Sequence, residues 1–269
     1  MQNEELKSKK ISFIGAGIIA GVFIERLINS GIAKPDNILA TDIKQDQIDR
    51  LHSLYGIKVS TTNKDGVDFG DLIIIATPPN AVKTVLSESF LSISEQQVII
   101  SLAAAVPTWF MEGMLNKQVP IIRVIPNTPS LVGQGMNPYC VGKYVNDDAL
   151  KLAESFLDIF GKKIRIEESM MNVITALTAV GPTYIFPIIQ ALIEVSTKLG
   201  LKSDDAKVAA AQTVLVAASL VLETNRSPED LKHMIATRTL KEDEAKALFM
   251  QAVEEAFSKV SSAEKKIVA

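Results

Sequence analysis

The chain has 269 residues, and its 28 Lys and Arg against 31 Asp and Glu give a formal net charge of −3. At roughly 150 residues per domain, this length predicts about two domains. Hydrophobic residues make up 47% of the chain and charged residues 22%, which is ordinary globular usage and excludes an intrinsically disordered chain. The slightly acidic balance argues against a protein that holds nucleic acid through phosphate contacts.

Cysteine and histidine are scarce. Cys140 is the only cysteine, which excludes an internal disulfide, and His52 and His233 are the only histidines. A zinc-type cluster needs more of these side chains, so we predict no metal site. The N-terminal stretch is charged and lacks the apolar core of a signal peptide, which predicts a cytoplasmic protein.

The first part of the chain alternates short apolar runs with helical patterns. Continuous apolar runs are typical of parallel strands buried on both faces, and their alternation with helices is typical of an α/β fold. The pattern predicts strands at residues 11–14, 37–42, 57–60, 71–76, 98–102, 121–125, 139–141 and 163–166. Helices are predicted at residues 20–27, 46–55 and 147–160, and helical sequence also precedes the strands at 98–102 and 121–125.

The last part of the chain shows only helical patterns. Helices are predicted at residues 170–178, 182–200, 203–224, 228–236 and 242–260. The change from alternating strands and helices to helices alone predicts an α/β domain over residues 1–166 and an all-α domain over residues 167–269.

These C-terminal helices are apolar on more than one face. No charged side chain occurs over residues 169–193, a stretch long enough to span a bilayer. Gly181, Pro182 and Pro187 would leave backbone groups unpaired in lipid, which favours helices buried in a protein core or an oligomer interface. Because one small bundle cannot cover so much apolar surface, we predict self-association as a homodimer or an assembly of dimers.

A glycine-rich turn follows the first predicted strand and precedes the first long helix. Its residues match the pattern G-x-G-x-x-(G/A) and are Gly15, Ala16, Gly17, Ile18, Ile19 and Ala20. In this pattern the first glycine permits a tight turn, the second lets the backbone approach a pyrophosphate, and the last small residue lets helix and strand pack closely. The helix N-terminus offers N–H groups and a positive dipole end to phosphates. The turn therefore predicts dinucleotide binding, the alternative being a plain glycine turn.

Asp42 ends the second predicted strand. A carboxylate at this place can accept hydrogen bonds from the ribose hydroxyls of NAD and would repel the 2′-phosphate of NADP. Lys44 would attract that phosphate, so the choice between NAD and NADP stays open. The alternative interpretation of Asp42 is a cap for the following helix.

Three further segments follow predicted strands. Ala76, Thr77 and Pro78 come after the fourth strand, Ala103 after the fifth and Asn127 after the sixth. Because ligands bind beyond the carboxyl ends of the strands in an open parallel sheet, these residues are predicted to line one cleft with the glycine-rich turn.

Motifs along nearly the whole chain resemble one family. They are residues 14–17 (IGAG), 123–129 (RVIPNTP), 132–135 (VGQG), 176–178 (ALT), 181–184 (GPTY), 198–201 (KLGL), 211–213 (AQT) and 228–231 (PEDL). In this order they resemble the pyrroline-5-carboxylate reductases of proline biosynthesis. The resemblance implies an N-terminal Rossmann dinucleotide-binding domain, an all-α C-terminal dimerisation domain, and reduction of a cyclic imine to L-proline with NADP or NAD as cofactor. It also places residues 123–129 beside the nicotinamide and the turn from Thr178 to Tyr184 in the substrate pocket.

The chain departs from this family at two places in the implied substrate site. The family's turn SGSGPAY is here TAVGPTY, so Thr178 keeps one hydroxyl and Val180 replaces the second serine. The family's anion-binding loop SPGGTT is here ATRTL, which removes the glycine pair and leaves Thr237, Arg238 and Thr239 as possible ligands of the substrate carboxylate. We take Thr178, Thr237 and Thr239 as the candidate catalytic-site hydroxyls. Arg238 is either a carboxylate ligand or a solvated residue at a helix end.

Two alternatives to this reductase remain open. The altered loop suits a reductase of the same fold that acts on another small imine or keto substrate. The missing donors also suit a catalytically silent homologue that binds a nucleotide without turning over a substrate.

Overall fold

The computed structural model describes residues 4–89 and 91–269. In this part of the chain eight strands form one sheet: β1 Ile11–Ile14, β2 Ile38–Thr41, β3 Lys58–Ser60, β4 Leu72–Ile75, β5 Val98–Ser101, β6 Ile121–Val124, β7 Gly135–Val141 and β8 Gly161–Arg165. Their spatial order is β3-β2-β1-β4-β5-β6-β7-β8. The strands are parallel from β3 to β6, β7 is antiparallel to β6, and β8 is parallel to β7.

This order confirms the predicted α/β fold. The chain runs outward from β1 through β2 to β3, then returns to the other side of β1 with β4. Such a reversal is the topological switch point of a doubly wound sheet, and ligands bind beyond the carboxyl ends of the strands there. The turns after β1 and β4 therefore flank the expected ligand crevice.

The helices described are α1 Glu4–Ser8, α2 Ile18–Asn29, α3 Gln45–Tyr55, α4 Asn63–Phe69, α5 Val82–Ser89, α6 Thr108–Leu115, α7 Asp147–Leu157, α8 Met171–Ile174, α9 Pro182–Lys198, α10 Ser203–Glu223, α11 Pro228–Lys232 and α12 Glu242–Val268. A π-helical turn, Thr175–Ala179, follows α8. α11 is shorter than predicted and ends at Lys232, and α12 continues beyond residue 260 to Val268.

The chain forms two compact units. The first comprises residues 1–179 and 256–269, and the second comprises residues 180–255. The first unit holds the sheet and both ends of the chain, whereas the second is entirely helical. The domains expected from the sequence, 1–166 and 167–269, stay a prediction.

The sheet of the first unit is buried on both faces. Leu72 and Ile74 of β4 belong to one apolar cluster, and Ile73 and Ile75 belong to a cluster on the opposite face. All four side chains are completely buried. Because each fully buried aliphatic side chain contributes about 1.5–3 kcal/mol, this uninterrupted apolar strand anchors the layers on either side of it.

The second unit leaves much apolar surface uncovered. α9 has no fully buried residue, and in α10 only Ala206 and Ala210 are buried. Within one chain the predicted burial of residues 169–193 is met only at Met171, Thr175 and Ala176. Burial of the rest in an oligomer interface stays a prediction. By length and composition alone, two helical stretches of the described chain could cross a membrane, Glu168–Lys198 and Ser203–Glu223, and only 6% and 11% of their apolar windows are buried.

Candidate nucleotide-binding and active site

In the glycine-rich turn that follows β1, the backbone of Gly15 adopts a conformation that requires glycine. Gly15 has φ +105°, and its N–H donates to the carbonyl of Thr41 at 2.8 Å. A Cβ on Gly15 would lie 2.9 Å from the backbone carbonyl of Ala76. The turn after β1 therefore passes directly against the turn after β4, at the switch point of the sheet.

The next residues open the N-terminus of α2. Gly17 is the N-cap residue, no side chain caps the helix, and a Cβ on Gly17 would meet no atom within 4 Å. The side chains of Ile18 and Ile19 are 83% and 49% exposed, whereas Ala16 and Ala20 are completely buried. An uncapped helix N-terminus beside open space fits a pyrophosphate, because the first N–H groups of a helix have no partner within it.

The carboxylate of Asp42 is bound to the backbone on both sides. Its Oδ2 accepts a hydrogen bond from the N–H of Ala16 at 2.9 Å, and its Oδ1 accepts one from the N–H of Lys44 at 3.0 Å. Arg50 holds the same glycine-rich turn by donating to the backbone carbonyl of Ala16 at 3.3 Å. Each carboxylate oxygen can accept a further bond, so Asp42 can hold the glycine-rich turn and still receive a ribose hydroxyl.

The ends of β4 and β5 lie beside the glycine-rich turn. The N–H of Ala76 donates to Ile14 at 2.9 Å, and the N–H of Leu102, just before Ala103, donates to Ile75 at 2.9 Å. The adjoining Thr77 carries a buried Oγ1 that has no hydrogen-bond partner in the described chain, and a bound nucleotide would satisfy it.

Pro78 is exposed and Ala103 is 2% exposed. The structure thus brings together the predicted cofactor residues that follow β1, β4 and β5.

Asn127, after β6, joins two other segments. Its Nδ2 donates to the carbonyl of Thr178 at 3.2 Å, and its Oδ1 accepts from the N–H of Met136 at 2.9 Å. Thr178 is half-buried in the π-helical turn, and its hydroxyl donates to the carbonyl of Ile174 at 2.8 Å. π-helical turns occur frequently at functional sites. Asn127 and Thr178 are therefore brought together, and the amide of Asn127 is already committed to backbone partners.

The candidate carboxylate ligands lie in the second unit. Thr237, Arg238 and Thr239 are exposed on the connection between α11 and α12. A guanidinium nitrogen of Arg238 contacts Nδ1 of His233 at 3.3 Å, and Nε2 of His233 lies 3.2 Å from Oε1 of Glu229. A neutral ring with its proton on Nε2 accepts from Arg238 and donates to Glu229. Sequence reasoning missed this chain of contacts, although the i,i+4 spacing of Glu229 and His233 was a usable signal.

A buried ion pair lies on β6, which sequence reasoning also missed. Arg123 is completely buried, and its Nη1 donates to Oε1 of Glu168 at 2.6 Å. The N–H of Thr108 donates to the other oxygen of Glu168 at 3.1 Å, and so does the Thr108 hydroxyl. Burial alone would raise the pKa of Glu168, but hydrogen bonds from Thr108 and Arg123 outweigh it and hold the pKa below its ordinary 4.5. A second carboxylate, Glu264 of α12, lies 3.6 Å from Nη2 of Arg123.

Cys140 pairs with Arg123 across β6 and β7 and is buried. Burial raises the pKa of its thiol, and the nearby charge of Glu168 raises it further. A thiol in this environment stays protonated and inert. Among the residues described, no group of three or more His, Cys, Asp or Glu side chains could hold a metal ion.

Two family models match the chain. A model described as NADP oxidoreductase, coenzyme F420-dependent, matches residues 10–105, which include the glycine-rich turn and the ends of β4 and β5. A model described as pyrroline-5-carboxylate reductase dimerisation matches residues 168–263. The chain thus has an N-terminal Rossmann-like domain followed by a helical dimerisation domain, as the resemblance implied.

Proteins of this family are similar along most of the chain. Pyrroline-5-carboxylate reductase of Methanosarcina acetivorans is 34% identical over 92% of this chain and 95% of its own length. Pyrroline-5-carboxylate reductase 1 of Bacillus subtilis is 32% identical over 85% of this chain and 77% of its own length.

Solved structures agree with these relatives. A pyrroline-5-carboxylate reductase from Coxiella burnetii is 31% identical, with a TM-score of 0.81 and coverage of 96% of this chain and 99% of the other. The Plasmodium falciparum pyrroline carboxylate reductase with NADP bound is 25% identical, with a TM-score of 0.84 and the same coverage. On these similarities and on the matched dimerisation domain, the chain belongs to the pyrroline-5-carboxylate reductase family.

Proposed function

We propose that this protein reduces 1-pyrroline-5-carboxylate to L-proline with NADPH or NADH. The observation that carries the proposal is the 34% identity to a pyrroline-5-carboxylate reductase over 92% of the chain. The open N-terminus of α2 and the close approach of Gly15 to Ala76 give the physical reason to expect a bound dinucleotide.

The proposed cofactor site runs across the switch point of the sheet. We assign the pyrophosphate to the backbone of the glycine-rich turn and the adenosine ribose to Asp42. The nicotinamide end is assigned to the turns after β4, β5 and β6. The residues proposed to contact the cofactor are Gly15, Ala16, Gly17, Ile18, Ile19, Ala20, Asp42, Ala76, Thr77, Pro78, Ala103 and Asn127.

When bound, the reduced nicotinamide would supply a hydride from its C4–H bond to the carbon of the protonated imine, so that the nicotinamide ring is oxidised while the C=N bond is reduced to C–N. A protonated imine is already electrophilic, so the protein needs no strong acid or base at the reacting carbon. Its residues must instead orient the two reactants and exclude water. Thr178 is proposed to contact the substrate, because Asn127 holds its backbone beside the end of β6.

We propose that the substrate carboxylate is bound by Thr237, Arg238 and Thr239. The three residues offer two hydroxyls and a guanidinium in a row, and a guanidinium binds a carboxylate in a bidentate manner. The contact with His233 uses only Nη1 of the Arg238 guanidinium, at 3.3 Å. This arrangement would replace the glycine-rich anion-binding loop that the chain lacks.

Self-association through the C-terminal helices follows from the matched dimerisation domain, and we propose a homodimer or an assembly of dimers. The exposed apolar surface of α9 and α10 is then an oligomer interface and not a membrane-spanning surface, since Pro187 would leave a carbonyl unpaired in lipid. We further propose that the protein is cytoplasmic and binds no nucleic acid.

The first experiment measures oxidation of NADPH and NADH with and without 1-pyrroline-5-carboxylate, with L-proline formation as the second readout. We expect imine-dependent turnover that yields proline. If either cofactor binds but neither is oxidised, the proposal is wrong. The altered loop then favours another small imine or keto substrate, or a silent homologue.

A second experiment tests the carboxylate ligands. Arg238→Gln should raise the KM for 1-pyrroline-5-carboxylate by about 10- to 100-fold, as expected for loss of a charge-assisted pair, and leave the KM for NADPH unchanged. Lys246→Gln removes another exposed positive charge, from α12, and is the matched control. An unchanged imine KM in Arg238→Gln would remove Arg238 from the substrate site.

A further inference from the structure

A fully buried charge on β6 calls for an explanation. Arg123 is completely buried, and its pairing with Glu168 is a single 2.6 Å hydrogen bond from Nη1. Nε and Nη2 of Arg123 have no hydrogen-bond partner in the described chain. Replacing such an ion pair by apolar side chains is often neutral or stabilising, so stability alone does not explain why it is there.

The pair is linked to the turn after β5. Thr108 donates to Glu168 through both its N–H and its hydroxyl, and Thr108 is the first residue of α6. The turn that ends there contains Ala103 and also Ala105, a non-glycine residue with φ +61°. Such a sparsely populated conformation persists only where the surrounding structure holds it. Glu168 thus fixes the far end of a turn that faces the proposed nicotinamide site.

The pair is also linked to the candidate substrate residue Thr178. The segment from Glu168 to Ala179 is attached to β6 or its following turn at both ends. Arg123 binds Glu168 at the start of the segment, and Asn127 binds the carbonyl of Thr178 near its end. A shift of Glu168 would therefore move the turn with Ala103 and the segment with Thr178 together.

We propose that Arg123 and Glu168 are positioning residues that set the turn containing Ala103 and the π-helical turn containing Thr178 for hydride transfer. The pair contacts neither reactant and acts through Thr108 on one side and through the segment that starts at Glu168 on the other. The expected change in kcat rests on the proposed reductase function, whereas the expected change in the Kd for NADPH does not.

The test compares Thr108→Val with Thr108→Ser. Valine is nearly isosteric and removes only the hydroxyl that binds Glu168, whereas serine restores it. We expect Thr108→Val to raise the Kd for NADPH, measured by fluorescence titration, and to lower kcat, each by about tenfold, because small misplacements of positioning groups are costly in rate. Thr108→Ser should stay within about twofold of the native protein in both quantities. Thr84→Val, on the exposed side of α5, is the control for loss of a threonine hydroxyl elsewhere.

Glu168→Gln and Arg123→Lys extend the test to the pair itself. Both should lower kcat more than they change the KM for the imine, while circular dichroism and thermal unfolding report whether each variant folds. A purely structural role would lower the unfolding temperature and leave kcat and the NADPH Kd of the folded variants unchanged, and that result overturns the proposal. If a variant of the pair fails to fold, the two Thr108 variants still decide the question.

Failure of the proposed reductase function and failure of the positioning role would give different experimental results. If the native protein binds NADPH without reducing 1-pyrroline-5-carboxylate, the proposed function fails, and the NADPH Kd of Thr108→Val against Thr108→Ser still tests the positioning role of the ion pair. An equal Kd in both variants and the native protein then overturns that role.

Discussion

Asp42 accepts a 2.9 Å hydrogen bond from the backbone N–H of Ala16, so the residue at the end of β2 holds the glycine-rich turn that follows β1. Its other oxygen accepts from Lys44. The same carboxylate is the group proposed to bind the adenosine ribose. Asp42 therefore links the shape of the pyrophosphate turn to the choice of cofactor.

Asp42→Asn should shift cofactor preference toward NADPH. The amide removes the negative charge that repels a 2′-phosphate, and Lys44 remains to attract it. We expect the ratio of kcat/KM for NADPH over NADH to rise about tenfold, a change of about 1.4 kcal/mol. Asp46→Asn removes an exposed carboxylate from the first turn of α3 and should leave the ratio unchanged. An equal ratio in Asp42→Asn and native protein would mean that Asp42 only holds the turn.

Alanine at the two glycines of the turn should have different effects. At Gly15 the added Cβ meets the backbone of Ala76 at 2.9 Å in a residue with φ +105°, so Gly15→Ala should unfold at a lower temperature and bind no cofactor. At Gly17 the Cβ meets no protein atom within 4 Å and φ is −70°. Gly17→Ala should therefore keep the native unfolding temperature and still bind NADPH at least tenfold more weakly, because the Cβ enters the space left for the pyrophosphate.

Fluorescence titration measures the affinity for NADPH, and differential scanning calorimetry measures the unfolding temperature. The informative variant is Gly17→Ala, since it separates folding from binding. Native affinity in this variant would place the pyrophosphate away from the turn.

The sheet could be predicted from the sequence because its strands carry their own signal. β4 is four consecutive Leu or Ile residues buried on both faces, and such a run is typical of a parallel strand in any context. The helix α4 was missed, because Gly66 and polar neighbours argue against a helix. A Cβ on Gly66 would lie 2.6 Å from Ile14 Cδ1, so a larger residue at this position of α4 would require the Ile14 side chain to move. That requirement exists only in the folded protein.

The candidate site was predictable only in part, for a related reason. The glycine-rich turn and Asp42 lie at fixed distances from strands that the sequence predicts, so their neighbourhood follows from topology. The buried ion pair does not, because Glu168 lies far from Arg123 in sequence, and Thr108, which binds Glu168, lies on a third segment. Long-range side-chain pairs of this kind leave no periodic signal.

Because of Glu168, the free energy of unfolding should depend on pH in the acid range. Its folded pKa is lower than the ordinary value of 4.5, so the deprotonated carboxylate is favoured by folding. The resulting stabilisation is fully present above the unfolded pKa and is lost as pH falls through the lower, folded pKa. Glu168→Gln lacks this titration and removes the carboxylate that Arg123 hydrogen-bonds, which leaves Glu264, 3.6 Å from Nη2, as the charged partner of Arg123. The difference in unfolding temperature between native protein and Glu168→Gln should therefore be largest near neutral pH and shrink below pH 4.5.

Thermal unfolding followed by circular dichroism between neutral pH and pH 3 measures this difference. Asp68→Asn is the control, because Asp68 also has a lowered pKa, held by Lys64 and Ser92, but its pair is exposed. Exposed pairs contribute little to stability, so this variant should follow the native curve closely. A native-to-Glu168→Gln difference that is constant over the whole range would contradict the prediction.

A charge on the apolar surface of α10 should dissociate the protein. Leu215 is 58% exposed within one chain, on a helix that the matched dimerisation domain assigns to self-association. Stable interfaces bury about 1,600 Å² and exclude unpaired charge from their centre, so Leu215→Glu should strongly weaken the contact. We expect analytical ultracentrifugation at micromolar concentration to show a dimer or larger assembly for the native protein and a monomer for Leu215→Glu. Lys207→Glu changes the charge at an exposed position of the same helix and should leave the assembly intact. A native protein that sediments as a monomer, or a variant that assembles like the native protein, would show that this surface of α10 is covered in some other way.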